Sequence, residues 1–134
     1  MTTQTSDDLF IPASGSSPEV DFRFGAHSLS LKGESYPENA AAFYGDVIAR
    51  TRAYLAAAEP AQSVTVNVSL TYFNSSSTKM LFGLFHALND AAEAGRRIVL
   101  NWYHDVDDDT ILEFGAELHD EFPALEFHDI AVGS

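Results

Sequence analysis

From Val64 to Leu70, apolar residues alternate with Thr65, Asn67 and Ser69, the two-residue period of a half-buried strand. Past Lys79 the period changes. Leu81, Leu84, Phe85, Leu88 and Ala92 recur at helical spacing, and Gly95 closes the run. Upstream, Leu9 to Ala13 forms a short apolar run with Pro12, which fits an edge strand or strand start. Ser14 to Pro18 reads as a turn. Val20, Phe22 and Phe24 alternate with Asp21 and Arg23, Gly25-Ala26 turns the chain, and Leu29 and Leu31 return as the second arm of a hairpin.

Ser35 and Glu38 have capping-box spacing, and Pro37 suits a first helical turn, so a helix is expected to start there. Its apolar stripe holds Phe43, Val47 and Tyr54, with Tyr44, Ile48 and Leu55 beside it, and Glu59-Pro60 stops it. Ile98 to Tyr103 is nearly continuous in apolar character, as in a central strand covered on both faces. The acidic loop Asp105 to Asp109 leads into a third helix carrying Ile111, Phe114 or Gly115, Leu118 and Phe122. Leu125 to Ile130 alternates as a last strand. The order ββ(β)αβαβαβ implies an α/β fold, its sheet holding parallel pairs joined by right-handed crossovers. Residues 1–8 read as a frayed tail and 9–134 as one domain.

Composition narrows the function classes. The 134 residues carry 20 acidic and 7 basic side chains, a net charge of −13. Such a surface repels phosphate backbones and anionic lipid, which argues against nucleic-acid or membrane partners. It suits solubility, or a basic protein partner steered by the field. No cysteine is present, so disulfides and thiolate chemistry are out. The polar, acidic Met1 to Asp8 is unlike a signal or transit peptide, and the expected location is cytoplasmic.

Most candidate chemistry dissolves on inspection. Asp105, Asp107 and Asp109 open like a calcium loop. However, the turning glycine is replaced by Thr110 and the bidentate glutamate falls on Ala116, so the expected reading is a solvated loop charging a helix N-terminus. The histidines 27, 86, 104, 119 and 128 show no metal spacing, and no cofactor is expected. Nucleophile-elbow, phosphate-loop and dinucleotide motifs are absent.

The junction between the Val64 strand and the Leu81 helix is different. Four consecutive hydroxyls, Ser75 to Thr78, sit between Asn74 and Lys79. A helix start needs one or two such acceptors for its unpaired N–H groups, so four exceed capping. A phosphate there would meet those N–H groups and the positive helix end, worth roughly 0.3–2 kcal/mol. It would also add about −1.5 to −2 charge to any partner interface. That is the physical profile of a phosphorylation switch.

The blocks Ser35-Tyr36-Pro37-Glu38-Asn39-Ala40, Phe43-Tyr44, Tyr72 to Lys79, and Trp102-Tyr103-His104 with Asp107 to Asp109 together resemble the SiaC family of bacterial regulatory phosphoproteins. The resemblance spans about Leu9 to Ile130. It implies a STAS-like mixed sheet with an N-terminal β-hairpin and about three main helices, as in anti-sigma-factor antagonists. It implies no catalysis. It also implies a dedicated Ser/Thr protein kinase and a PPM-type phosphatase, with a diguanylate cyclase bound and activated by the unphosphorylated form, raising cyclic di-GMP and favouring biofilm.

The family's phosphorylated residue follows the asparagine, which here gives Ser75, a serine in place of threonine. Ser76, Ser77 and Thr78 are the alternates. Lys79 matches the family's lysine and could pair with a phosphate or a partner carboxylate. The implied partner-binding surface is Tyr36, Pro37, Glu38, Asn39, Asn74, Ser76 and Lys79, although capping plus packing of Tyr36 accounts for the first block equally well. Two rivals stand beside this reading: an anti-sigma-factor antagonist acting on an anti-sigma kinase, and a small metal enzyme using Asp105, Asp107 and Asp109.

Overall fold

The computed structural model describes residues 8–57 and 63–133. The elements run β1 (Leu9–Ile11), β2 (Glu19–Arg23), β3 (Ser28–Ser35), α1 (Ala40–Ala57), β4 (Val64–Phe73), α2 (Ser75–Glu93), β5 (Ile98–Asp105), α3 (Asp109–Glu121) and β6 (Glu126–Val132). The expectation that Glu59-Pro60 stops α1, and most of the expected tail, lie outside the described residues. Asp8 is described, and its carboxylate accepts the Gly25 N–H at 3.1 Å, so it is tied to the β2–β3 turn.

Six strands form one sheet in the order β1-β2-β3-β4-β5-β6. The first three pair antiparallel, and β3 to β6 pair in parallel. The expected hairpin is therefore β2–β3, with β1 added at its edge. Phe24 leaves the strand pattern. It lies in a short 3-10 turn closed by His27, whose φ of 57° is left-handed.

Leu31, Val68 and Trp102 are register neighbours on one face, as are Leu29, Val66 and Leu100. All six are buried, and the three helices cover this face. Phe85 of α2 meets the Trp102 ring edge-on, α3 accepts the Trp102 indole N–H at the Ile111 carbonyl (2.9 Å), and Tyr44 of α1 reaches Ser35 of β3. The opposite face carries Thr65, Asn67, Ser69, Asn101 and Tyr103, all half-buried, with Asn101 Nδ2 donating a hydrogen bond to Asn67 Oδ1 at 2.9 Å. Among the described residues β5, one strand in from the β6 edge, is covered by helices on one face only, which corrects the expectation of cover on both. Consecutive right-handed crossovers across neighbouring strands put every helix on the same side.

One irregularity shapes the end of β4. Opposite β3, the register steps from Gly33↔Leu70 to Glu34↔Tyr72, which leaves Thr71 as an extra residue. The bulge shifts the alternation. Phe73 turns to the core, 4.7 Å from the Phe114 ring centroid, and Tyr72 turns out, 49% exposed.

Candidate functional site

The turn from β4 into α2 is built by Asn74. Its side chain accepts the Ser77 N–H at 2.9 Å, an N-cap, and its own N–H reaches the Ser35 carbonyl at 3.1 Å. The four hydroxyls then separate by environment. Ser75 and Ser76 are exposed. Ser77 is fully buried, and its Oγ accepts from Ser35 Oγ at 2.8 Å. Thr78 is half-buried and donates to the Asn74 carbonyl at 3.0 Å. Of the alternates to Ser75, only Ser76 is open to solvent. Lys79 is exposed four residues beyond Ser75, one helical turn along the same face.

Ser35 departs from the expected capping box. It is the last residue of β3, buried, bonded to Ser77 and 2.6 Å from the Tyr44 hydroxyl. Helix α1 begins at Ala40, beyond Pro37, and the side chain that caps it is Asn39, which accepts the Ala42 N–H at 3.0 Å. Pairing with β4 carries β3 to Ser35, five residues short of the helix, so Ser35 is too far from the free N–H groups to cap them.

Tyr36 does not enter the core. It is 40% exposed, its hydroxyl donates to the Gly15 carbonyl at 2.7 Å, and its ring stands edge-on to Tyr72 with centroids 5.8 Å apart. Asn74, Ser75, Ser76, Tyr36 and Tyr72 therefore share one neighbourhood. Pro37, half-buried, and the exposed Glu38 and Asn39 continue from Tyr36 towards α1. Tyr72 and Tyr44 belong to the blocks that carry the family resemblance, but neither is among the expected site residues. A tyrosine on an apolar helix stripe, where phenylalanine would pack as well, was the available signal for Tyr44.

The acidic loop lies at the carboxyl end of β5. Asp105 accepts the Asp107 N–H at 2.8 Å, and Asp108 caps α3 by accepting the Ile111 N–H at 3.1 Å. A cavity of about 580 Å³ opens there, lined by Ser69, Thr71, Tyr103, His104 and the loop aspartates. Buried His104 sends Nδ1 to the Asp105 carbonyl (2.9 Å) and Nε2 to Asp129 (3.1 Å). The first bond, aided by Asp129 and Asp108, raises its pKa against the opposing effect of burial. No set of three or more His, Asp or Glu among the described residues has metal-binding geometry.

A family model described as SiaC family regulatory phosphoprotein matches residues 11–132. An uncharacterized protein of Pseudomonas aeruginosa strain UCBPP-PA14 is 32% identical over 125 residues, covering 91% of this chain and 98% of its own length. Among solved structures, the fold is similar to a chain in the crystal structure of the diguanylate cyclase SiaD in complex with its activator SiaC from Pseudomonas aeruginosa. That match has a TM-score of 0.86 at 30% identity, over 93% of this chain and 100% of that one. It is similar to apo-SiaC of the same organism as well, with a TM-score of 0.84 at 30% identity over 92% and 98% of the two chains.

Proposed function

Because this chain belongs to the SiaC family of regulatory phosphoproteins, we propose that it is a non-enzymatic switch protein that binds a diguanylate cyclase and releases it when Ser75 is phosphorylated. The observation that carries the reading is Ser75 itself. It is an exposed hydroxyl at the first position of α2, next to the Asn74 cap and the Tyr36–Tyr72 pair. A similar protein in complex with a cyclase favours this partner class over an anti-sigma kinase.

The physical logic is electrostatic. Unmodified, the helix mouth offers neutral hydroxyls and aromatic edges to a partner. Phosphate on Ser75 meets the free N–H groups of α2 and Lys79 one turn on, so the fold tolerates it. At a docked interface the same group brings about two negative charges that must lose their water. In this reading a Ser/Thr protein kinase supplies the phosphate and a PPM-type phosphatase removes it. The described residues contain no helix long and apolar enough to cross a membrane.

Two measurements test the proposal. Peptide mass spectrometry on protein taken from its host is expected to find one phosphate, on Ser75; phosphate confined to Ser76 moves the site by one residue, and none in any growth state removes the switch. Titration against the purified cyclase encoded in the same genome is expected to give a complex at least about tenfold weaker with phosphoserine at 75 than with serine. Equal affinity would defeat the release mechanism.

A further inference from the structure

Three enclosed hydroxyls from three different elements meet behind the helix mouth. Tyr44 of α1, Ser35 at the end of β3 and Ser77 in the first turn of α2 are each fully buried. Ser35 Oγ donates to Ser77 Oγ at 2.8 Å and lies 2.6 Å from the Tyr44 hydroxyl. A serine hydroxyl has one proton. With that of Ser35 given to Ser77, the Tyr44 proton points at Ser35, and a chain runs Tyr44 to Ser35 to Ser77. Burial pushes the Tyr44 phenol up to about 12, so it keeps its proton and remains a donor. Ser77 is held a second time at its backbone, where its N–H meets Asn74 Oδ1 at 2.9 Å.

Packing alone does not call for this chain. Phe, Ala and Ala would fill nearly the same space with no polar atoms to satisfy, whereas each buried hydroxyl is costly unless bonded. What the chain adds is direction. Successive helix residues are about 100° apart, so positions 75 and 77 are separated by about 200° and face opposite ways.

We propose that Tyr44, Ser35 and Ser77 are positioning residues for the switch. Together they hold the first turn of α2 in the rotation that turns Ser75 outward and keeps Ser77 inward. This inference rests on the reading of Ser75 as the modified residue. It assigns to Ser77, the most enclosed of the four hydroxyls, a role other than modification.

Amide hydrogen exchange on the intact chain tests it, read on the peptide from Tyr72 to Leu81. The variants are Ser35→Ala, Tyr44→Phe and the control Thr51→Ala, whose buried hydroxyl bonds within α1 to the Val47 carbonyl. Compared at equal global stability, Ser35→Ala is expected to speed exchange in the first turn of α2 by about tenfold over the control, since it strands both neighbours. Tyr44→Phe leaves the Ser35–Ser77 bond and is expected to speed it by about threefold. Exchange in Ser35→Ala that matches the control overturns the proposal. If Ser35→Ala fails to fold, Tyr44→Phe decides alone, and no change in it is the overturning result. The measurement needs neither kinase nor partner. Phosphate found on Ser75 with unaltered exchange would therefore sustain the switch and overturn the positioning chain, whereas faster exchange with no phosphate would show that the chain holds the turn and overturn its role in a switch.

Discussion

Gly115 lets α3 pack closely on the sheet. A Cβ built there would lie 2.5 Å from Trp102 Cδ1 and 2.6 Å from Nε1, with Phe127 Cζ at 3.3 Å. Trp102 is fully buried and its indole N–H is bonded to Ile111, so it has little freedom to yield. In an exposed helix, glycine to alanine would gain up to about 1 kcal/mol in propensity. Here overpacking wins, and Gly115→Ala is expected to destabilise by about 1–3 kcal/mol, read as a lower urea midpoint at unchanged slope.

His104 gives a prediction of opposite sign to acid denaturation. Both ring nitrogens face oxygen acceptors, so the charged ring fits the site, and its folded pKa is raised above the ordinary value of 6.5. The stabilisation is then complete below about pH 6.5, the unfolded value, and is lost as pH rises through the raised folded value. The urea midpoint should fall across that window, and His104→Gln should lack this part of the fall. The chain exposed the histidine but not its role, because the partner carboxylate, Asp129, lies 25 residues away.

Helix α2 depends on its start. The Asn74 side chain caps it at the Ser77 N–H, and Asn74→Ala is expected to cost about 1 kcal/mol, measured by thermal or urea unfolding. The same change should fray the turn that carries Ser75, so partner affinity should fall before global folding does. The elements themselves were readable. β4 and α2 announce themselves by periods of two and 3.6, and α3 by its apolar stripe. The start of α1 was not, since Ser35-x-x-Glu38 has the spacing of a capping box while pairing with β4 keeps Ser35 in the sheet. The bulge at Thr71 was equally hidden. Alternation up to Leu70 gives no sign that one extra residue will turn Tyr72 out and Phe73 in.

For the molecule as a whole, charge is the dominant long-range term. A net charge of −13 on 134 residues opposes compaction by self-repulsion. Raising ionic strength from about 10 mM to about 200 mM shortens the Debye length from roughly 30 Å to under 10 Å and should raise the melting temperature by a few degrees. The sheet adds a second property. Its parallel strands carry helices on one side and leave Asn67, Asn101 and Tyr103 half-exposed on the other, where parallel sheets are usually covered. The sequence hint was the polar alternation of Thr65, Asn67 and Ser69, which outweighed the apolar look of β5.

What the chain determined by itself is whatever depends on near neighbours: strand and helix periods, the hairpin, the strand-to-helix junction with its surplus hydroxyls, and the family blocks that matched along nearly its whole length. What the tertiary structure decided is which of those hydroxyls faces solvent and which is enclosed. Ser75 and Ser77 are two residues apart and chemically identical, yet one is exposed and the other is enclosed by Ser35, 42 residues upstream, with Tyr44 behind it. Burial is set by long-range pairing and helix rotation, and neither is written in the local pattern.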